Sequence, residues 1–460
     1  MLFKQINLFL FLCTIIFYLM IPLYSFSGGD GSSLNPYMIS NCTHLQNISN
    51  DLNGNYQLNN SIDCNIPPFN LGTGFDSIGN ISARFNGTFD GDSFTIDGLF
   101  IDKPTINYIG LFGYTDSQSE IKNIGIINSI IEGRQSVGSF VGRNEGTMLN
   151  IFAINLSITG DVGTVGGLIG NNFGNISNCF VENLTADTNN NGNGGGIAAT
   201  NGFSGSINSC YVISSNISAG SGNTIGGLTG QNSGLINITY VKHSYVDGDT
   251  RIGGLVGWNY YAQIFNSYSS NTTVIGITNV GGLVGLSYTA SWTGDNSYII
   301  NSYSSNSVSG TTNVGGLVGM SESDNTYYSY INNSFSLSNV SGTTNVGGFL
   351  GNNNGNAALI NNSFWFNTSG NPSLGIATDS NVVSQNVTPS TNLSYFFIQT
   401  NYPINIWDLS IWNFNDNFQP TLDIENLNFG SSSSSISSLF PLQSIFSLIV
   451  ILIILGFFFK

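Results

Sequence analysis

The sequence predicts an all-β chain, a parallel β-helix with apolar helical segments at its two ends. Three observations predict it. A glycine-rich block recurs: IGLFG ends at Gly113, VGSFVG at Gly142, VGGLIG at Gly170, IGGLTG at Gly230, IGGLVG at Gly257, VGGLVG at Gly285 and Gly319, and VGGFLG at Gly351, with a degenerate NGGGIAA near Gly194. The spacing is mostly about 27 to 34 residues. A second motif, Ile-x-x-[Cys/Ser/Thr]-[Tyr/Phe], runs between these copies and starts at Ile176, Ile207, Ile236, Ile264, Ile299, Ile331 and Ile360. Finally, no stretch here keeps helical periodicity; the apolar runs are short, β-branched and bounded by Gly and Asn, as strands and turns are.

Such a unit cannot bury its apolar face alone, so it must stack on copies of itself, one coil per repeat. Parallel strands then lie ~4.8 Å apart along the axis. Leu168, Leu228, Leu255, Leu283 and Leu317 should form one aliphatic ladder, and Phe180, Tyr211, Tyr240, Tyr268, Tyr303, Phe335 and Phe364 another. Glycine pairs such as Gly281-Gly282 suit a corner where a Cβ would clash or φ must be positive. Cys179 and Cys210 hold one position in consecutive copies, so they face each other as a disulfide or as two stacked thiols. Cys42 and Cys64 are disulfide candidates in the first turns.

The ends of the chain differ from the middle. Residues Ile6 to Tyr24 are almost uninterruptedly apolar and lead into Ser25-Phe26-Ser27, a small-x-small pattern that reads as a signal segment over residues 1–27, or as an uncleaved signal anchor. Residues 28–104 read as the N-terminal cap and first coils, 105–370 as the repeat array, 371–430 as a C-terminal module and 431–444 as a Ser-rich linker. Residues 445–460 are apolar and read as a transmembrane segment, or as a signal exchanged for a lipid anchor. Either way the repeats lie outside the cytoplasm, at the cell surface or membrane. Four cysteines beyond the signal suit an oxidising compartment.

Of 460 residues only 7% are charged, and the formal net charge is −16. That balance excludes nucleic acid as a partner, because phosphates call for Lys and Arg. Polarity comes instead from Asn, Ser, Thr and Gly. With 32 Phe and 20 Tyr the chain is ordered rather than low-complexity. Sequons such as Asn41-Cys42-Thr43 and Asn86-Gly87-Thr88 are compatible with glycosylation.

The repeats resemble the GLUG-motif family, named for its G-L-x-G core. The opening GDGSSLNPYMISNCTHLQNI and the stretch FNGTFDGDSFTIDGLFI are similar to its capping segments, and IWDLSIWNFNDNFQPTL to its terminal module. The resemblance covers about residues 29 to 422. It implies a right-handed β-helix, with Trp407 and Trp412 in the core of the terminal module, in a surface or adhesin-like protein. Some members are IgA-specific peptidases, whose chemistry needs H-E-x-x-H. This chain has only His44 and His243, neither in such a motif.

The enzyme alternative is a polysaccharide lyase or hydrolase, which needs converging carboxylates. The densest acidic stretch, Asp90, Asp92 and Asp97, reads as turn chemistry, as do Asp247 and Asp249. Arg84 and Lys103 are the basic residues nearest the first group. No catalytic residue, metal site or cofactor is expected. Binding is expected at aromatics that interrupt the repeat and should project as loops: Trp258, Tyr260 and Tyr261 after Gly257, Trp292 after Gly285, and Tyr327 and Tyr328 after Gly319. The expected ligand is a carbohydrate or another surface component. The function read from the sequence is a non-catalytic, adhesin-like or envelope-structural solenoid.

Overall fold

The computed structural model describes residues 26–424, apart from 190–191, 221–223, 290–294, 324–326, 356, 368–370, 380–386, 391–392, 402, 416–417 and 423. The apolar runs expected to be helical at the two ends lie outside these residues. No helix among the described residues is long and apolar enough to cross a membrane. Phe26, assigned above to the signal segment, already belongs to the cap, with its ring 4.5 Å from that of Tyr37.

The chain is a parallel β-solenoid of about 11 turns. One coil shows the plan. Strand Ser206–Ile213 turns into Asn216–Ala219, then Thr224–Gly226, and crosses the Gly226-Gly227 corner into Thr229–Asn232. The strands after the glycine corner form a ten-stranded sheet in chain order, from Phe112–Tyr114 to Ile376–Asp379. Most other strands join one large sheet wrapping the other sides of the coil, and Trp412–Asn415 pairs antiparallel with Phe418–Leu422 in a sheet of its own.

Inward positions alternate along each strand, so Ile176, Cys179 and Val181 are buried and stack on Ile207, Cys210 and Val212. The Leu168 to Leu317 ladder is fully buried and is extended by Phe140, Ile197 and Phe349. Cys179 and Cys210 are register partners and are joined, as are Cys42 and Cys64.

The glycine pairs answer to close approach and not to positive φ. A Cβ on Gly281 would sit 1.9 Å from the Val284 carbonyl oxygen, and one on Gly282 2.1 Å from that of Gly316. Corner backbones therefore bond directly from coil to coil, Gly282 N–H to Gly315 C=O and Gly316 N–H to Gly347 C=O. The left-handed corner falls to asparagine instead: Asn123, Asn150, Asn178, Asn266, Asn301, Asn333 and Asn362 have φ between 50° and 55°. Asn tolerates that region better than other residues with a Cβ.

These asparagines also bond to one another along the axis. Asn150 donates to Asn123, Asn178 to Asn150, Asn301 to Asn266, and Asn333 to Asn301, while Asn266 donates to Asn237, which precedes the left-handed Ile238. A second row, inside the coil and fully buried, runs Asn144, Asn172, Asn201, Asn232 and Asn259. Each Nδ2 donates to the next Oδ1 at 2.9 to 3.0 Å, and Asn259 ends the row on Ser297 Oγ. Buried serines Ser267, Ser302, Ser334 and Ser363 accept from the backbone of the preceding coil.

The ends are closed in different ways. At the start, helix Cys42–Asn47, capped by the Asn41 side chain on His44 N–H, covers the first coil. At the other end Trp365 lies over Gly348 and Gly375.

The aromatic ladder lies apart from the core inside the coils and in its later part forms a second buried cluster. Its rings point outward and stack from Phe152 to Phe364, with centroids 4.6 to 5.2 Å apart and planes within 8°. The stack begins at Phe152 because its ring fills the place of a side chain at Gly125. Phe180, Tyr211 and Tyr240 remain half-buried, whereas Tyr268 to Phe364 are covered by the C-terminal module. Trp407 packs on Phe335 and Phe364, Trp412 on Tyr303 and Phe335, and Trp407 Nε1 donates to the Asn362 carbonyl. The two tryptophans are thus shared between the module and the flank of the solenoid.

Removing one buried amide strands its neighbours. Asn201→Ala should lower the unfolding free energy by about 2–4 kcal/mol, since an unsatisfied buried polar group costs about 1–3 kcal/mol. Asn155→Ala, in an exposed row, should cost less than about 1 kcal/mol. Urea titration followed by circular dichroism checks the ordering. Trp407→Ala should release the C-terminal module to limited proteolysis while coils up to about residue 350 stay resistant, read by mass spectrometry of the fragments.

Candidate functional site

Three of the aromatics expected to bind come together. Trp258 and Tyr260 lie in strand Val256–Tyr260, in register with Gln231 and Leu286 for Trp258 and with Tyr288 for Tyr260. They therefore belong to a regular coil, not to a projecting loop as the sequence implied. Every second residue of the strand faces out, and here the outward places hold aromatics.

Tyr261 follows at the corner with φ 54°, is almost fully buried, and packs 4.1 Å from Tyr260. Tyr260 stacks parallel to Tyr288 at 5.8 Å, and Trp258 meets Tyr260 edge-on at 4.6 Å. The Arg251 guanidinium lies 4.4 Å over the Trp258 ring, and burial pushes its pKa down. This clamp holds the indole against the sheet.

Beside the cluster runs a groove of about 540 Å³, lined by Phe203, Ser204, Ser233, Gln263, Asp295, Asn296 and Tyr298 together with Tyr261. Phe203 is 66% exposed, with its ring 6.3 Å from Tyr260. Tyr298 stacks on Tyr330 at 5.3 Å, and Tyr328 touches Tyr330 at 6.3 Å. Tyr328 N–H donates to Asn296 Oδ1, while the Tyr327 carbonyl accepts from Thr289. Tyr327 and Tyr328 thus sit at a neighbouring cluster past one end of the groove. Trp292 lies outside the described residues.

Phe203, Tyr288, Tyr298, Gln263 and Asp295 were missed from the sequence. One signal was available for the first. Phe173 and Tyr260 directly follow a buried-row asparagine, and Phe203 follows Asn201 after a single glycine, so an aromatic just past that asparagine marks the outer edge of a turn.

The acidic residues are engaged elsewhere. Asp90 Oδ1 accepts from Asp92 N–H and from Asn123, and Asp97 Oδ1 from Asn128. Both carboxylates start an asparagine row. Arg84 does not reach them; it binds Glu145 at 2.8 Å, and Lys103 binds Asp76. Burial raises the Asp247 pKa, with the charge of Asp249 adding to it.

The densest polar group is Glu145 with Arg84, Arg143 and Tyr114. Burial alone would raise the Glu145 pKa, but bonds from Tyr114 and Arg143 and the two guanidiniums hold it below the usual carboxylate range. Burial, then the bond to Glu145, pushes Tyr114 up to about 12. Arg143 is held between the Tyr114 and Phe173 rings. A carboxylate with donors on both oxygens is a structural tie and a poor base. No three His, Cys, Asp or Glu side chains gather as a metal site among the described residues.

Comparison with known proteins places the repeat. The model of the GLUG motif matches residues 161–186 and 248–275. A protein of Evansella cellulosilytica, described as a Gly-rich membrane protein, is 36% identical over 131 residues, 27% of this chain. Halomucin of Haloquadratum walsbyi is 32% identical over 145 residues, 29% of this chain. The matched stretches span 15% and 2% of those relatives' own lengths. A crystal structure described as an immunoglobulin A1 protease of Bacteroides ovatus aligns over 87% of this chain and 95% of its own, at 19% identity and a TM-score of 0.34. A likeness that weak bears on neither fold nor activity. Two stretches of this solenoid, residues 161–186 and 248–275, thus carry the GLUG motif.

Proposed function

We propose that this chain is a cell-surface β-solenoid that works by binding, in the manner of an adhesin, with no catalysis of its own. Its place outside the cytoplasm is supported by two disulfides, Cys42–Cys64 and Cys179–Cys210, which form and persist in oxidising compartments. The names of the Evansella and Haloquadratum relatives, a membrane protein and a halomucin, point the same way. The apolar end of the chain, residues 445–460, is the segment that would hold it to a membrane.

The binding reading rests on one observation: the outward row that holds Asn171, Thr200 and Gln231 in the three preceding coils, and Leu286 and Met320 in the two that follow, carries Trp258 here, beside Tyr260, Tyr261 and Tyr288. Aromatic faces beside hydroxyl and amide groups match the alternating apolar and polar surfaces of a sugar ring. The non-catalytic reading is supported by the fates of Asp90, Asp97 and Glu145, whose oxygens are occupied by turn and ladder donors.

The full chain displayed on a glycan array should retain at least one carbohydrate, and the Trp258→Ala/Tyr260→Ala double variant should bind it at least ~10-fold more weakly, as loss of aromatic anchors of about 1.5 kcal/mol or more would give. No retention of any glycan would make the solenoid a passive stalk. Release of reducing or unsaturated ends from the bound carbohydrate would return the polysaccharide lyase or hydrolase reading.

A further inference from the structure

We propose that the groove beside Tyr261 holds an extended neutral polysaccharide laid along the solenoid axis, one sugar to each coil. The inference rests on the glycan-binding reading above and adds the ligand's class, direction and length.

The argument begins with where the lining residues fall. Phe203 follows strand Ala198–Asn201, Ser233 follows Thr229–Asn232, Gln263 begins the strand after Tyr260, and Asp295 and Tyr298 flank the next crossing. The four sites belong to four successive coils, because their strands pair parallel in that order. Coils rise ~4.8 Å, so the groove runs ~14 Å or a little more along the axis. That rise is close to the advance per ring of an extended pyranose chain. A glycan lying along the axis would present one ring to each coil.

The chemistry of the lining chooses among ligands. It holds no Lys, Arg or His, and its charged member is the exposed Asp295. A uronic or sulfated chain would meet a carboxylate and no cation. Two aromatic side chains mark the ends, Phe203 at 66% exposure and Tyr298. The lining also holds Ser204, Ser206, Ser233 and Gln263, donors and acceptors of the kind that sugar hydroxyls use, with Leu235 and Tyr261 beside them. An apolar helix would find too little apolar surface there.

The outward aromatic stack from Phe152 to Tyr240 is the rival platform, and it fails on geometry. Its ring faces are covered by one another at about 5 Å, leaving only edges to solvent. Among the described residues Phe203 has one ring neighbour, Tyr260, which stands off at 6.3 Å and is inclined by 54°, so it does not cover the Phe203 ring face to face.

The test uses the full chain and linear β-1,4-linked glucan, mannan, xylan and chitin oligosaccharides of two to eight sugars, with polygalacturonate fragments as anionic controls, read by isothermal titration calorimetry. At least one neutral series should bind, with affinity rising to about four sugars and then levelling. Phe203→Ala should weaken it at least 10-fold, and Phe203→Trp should keep it. Preference for the anionic series, affinity independent of length, or an unchanged Phe203→Ala variant would overturn this proposal. If such binding still depends on Trp258 and Tyr260, the surface-binding function survives without the groove. If no carbohydrate binds at all, both readings fall.

Discussion

The side-chain amide bonded to its copy one coil away is the interaction on which the solenoid depends. A parallel stack places identical residues at one level, and for most polar side chains that is a liability in a buried place. Asparagine alone among the small polar residues of this chain carries both two donors and an acceptor on a planar end. In the row from Asn144 to Asn259 each Nδ2 meets the next Oδ1, and a second proton goes to a backbone carbonyl such as that of Gly174 or Gly205. The row is satisfied only in one register. A slip by one residue would turn each asparagine to the other face and bury unpaired amides, which ties the apolar ladders to the same register.

Such rows must begin and end, and the ends explain much of the irregular chain. Asp90 and Asp97 each start a row as pure acceptors, a role suited to a carboxylate. Thr115 starts the buried row and Ser297 closes it. The apolar interior has the same problem at its two faces. Helix Cys42–Asn47 and its disulfide close one, and Trp365 the other. The C-terminal module meets a different need, since it covers the flank where the aromatic stack would leave Tyr268, Tyr303, Phe335 and Phe364 in water.

Recurrence along the sequence told which residues share a level. The Leu168 to Leu317 ladder and the pairing of Cys179 with Cys210 follow from that alone, because stacking needs only the repeat length. Recurrence did not tell which way a residue faces. Cys179 points in and Phe180 next to it points out, so the aromatic ends formed an external stack where the pattern gave no preference. Nor did it separate the two reasons for a glycine. At Gly281 and Gly282 the neighbouring backbone excludes a Cβ, and positive φ was taken over by asparagines that composition had marked only as turn formers. Trp258 and Tyr260 read as an interruption because they break the residue pattern, yet they leave the strand pairing intact. Phe203, Gln263 and Asp295 come from three different coils and are brought together only by stacking, which no local window of sequence displays.

That last point bears on where function arises in such a fold. A coil is held chiefly by its inward residues, its corner glycines and its amide rows, so an outward position can change with less effect on the coil, although some, such as Tyr114 and Arg143 with Glu145, make ties of their own. In three successive coils the outward row after the glycine corner is polar, with Asn171, Thr200 and Gln231. Replacing it by Trp258 in one coil, with Tyr260 and Tyr288 two residues beyond that row in successive coils, alters the surface and leaves the register untouched. Because each neighbouring coil repeats the same geometry ~4.8 Å away, a few such replacements produce a periodic surface without any new backbone. A periodic surface selects periodic ligands. The interruption of the motif in sequence is therefore, in space, a continuation of the lattice with different side chains, and the same in-register stacking that buries the asparagines sets the spacing at which the groove presents its aromatic and amide groups.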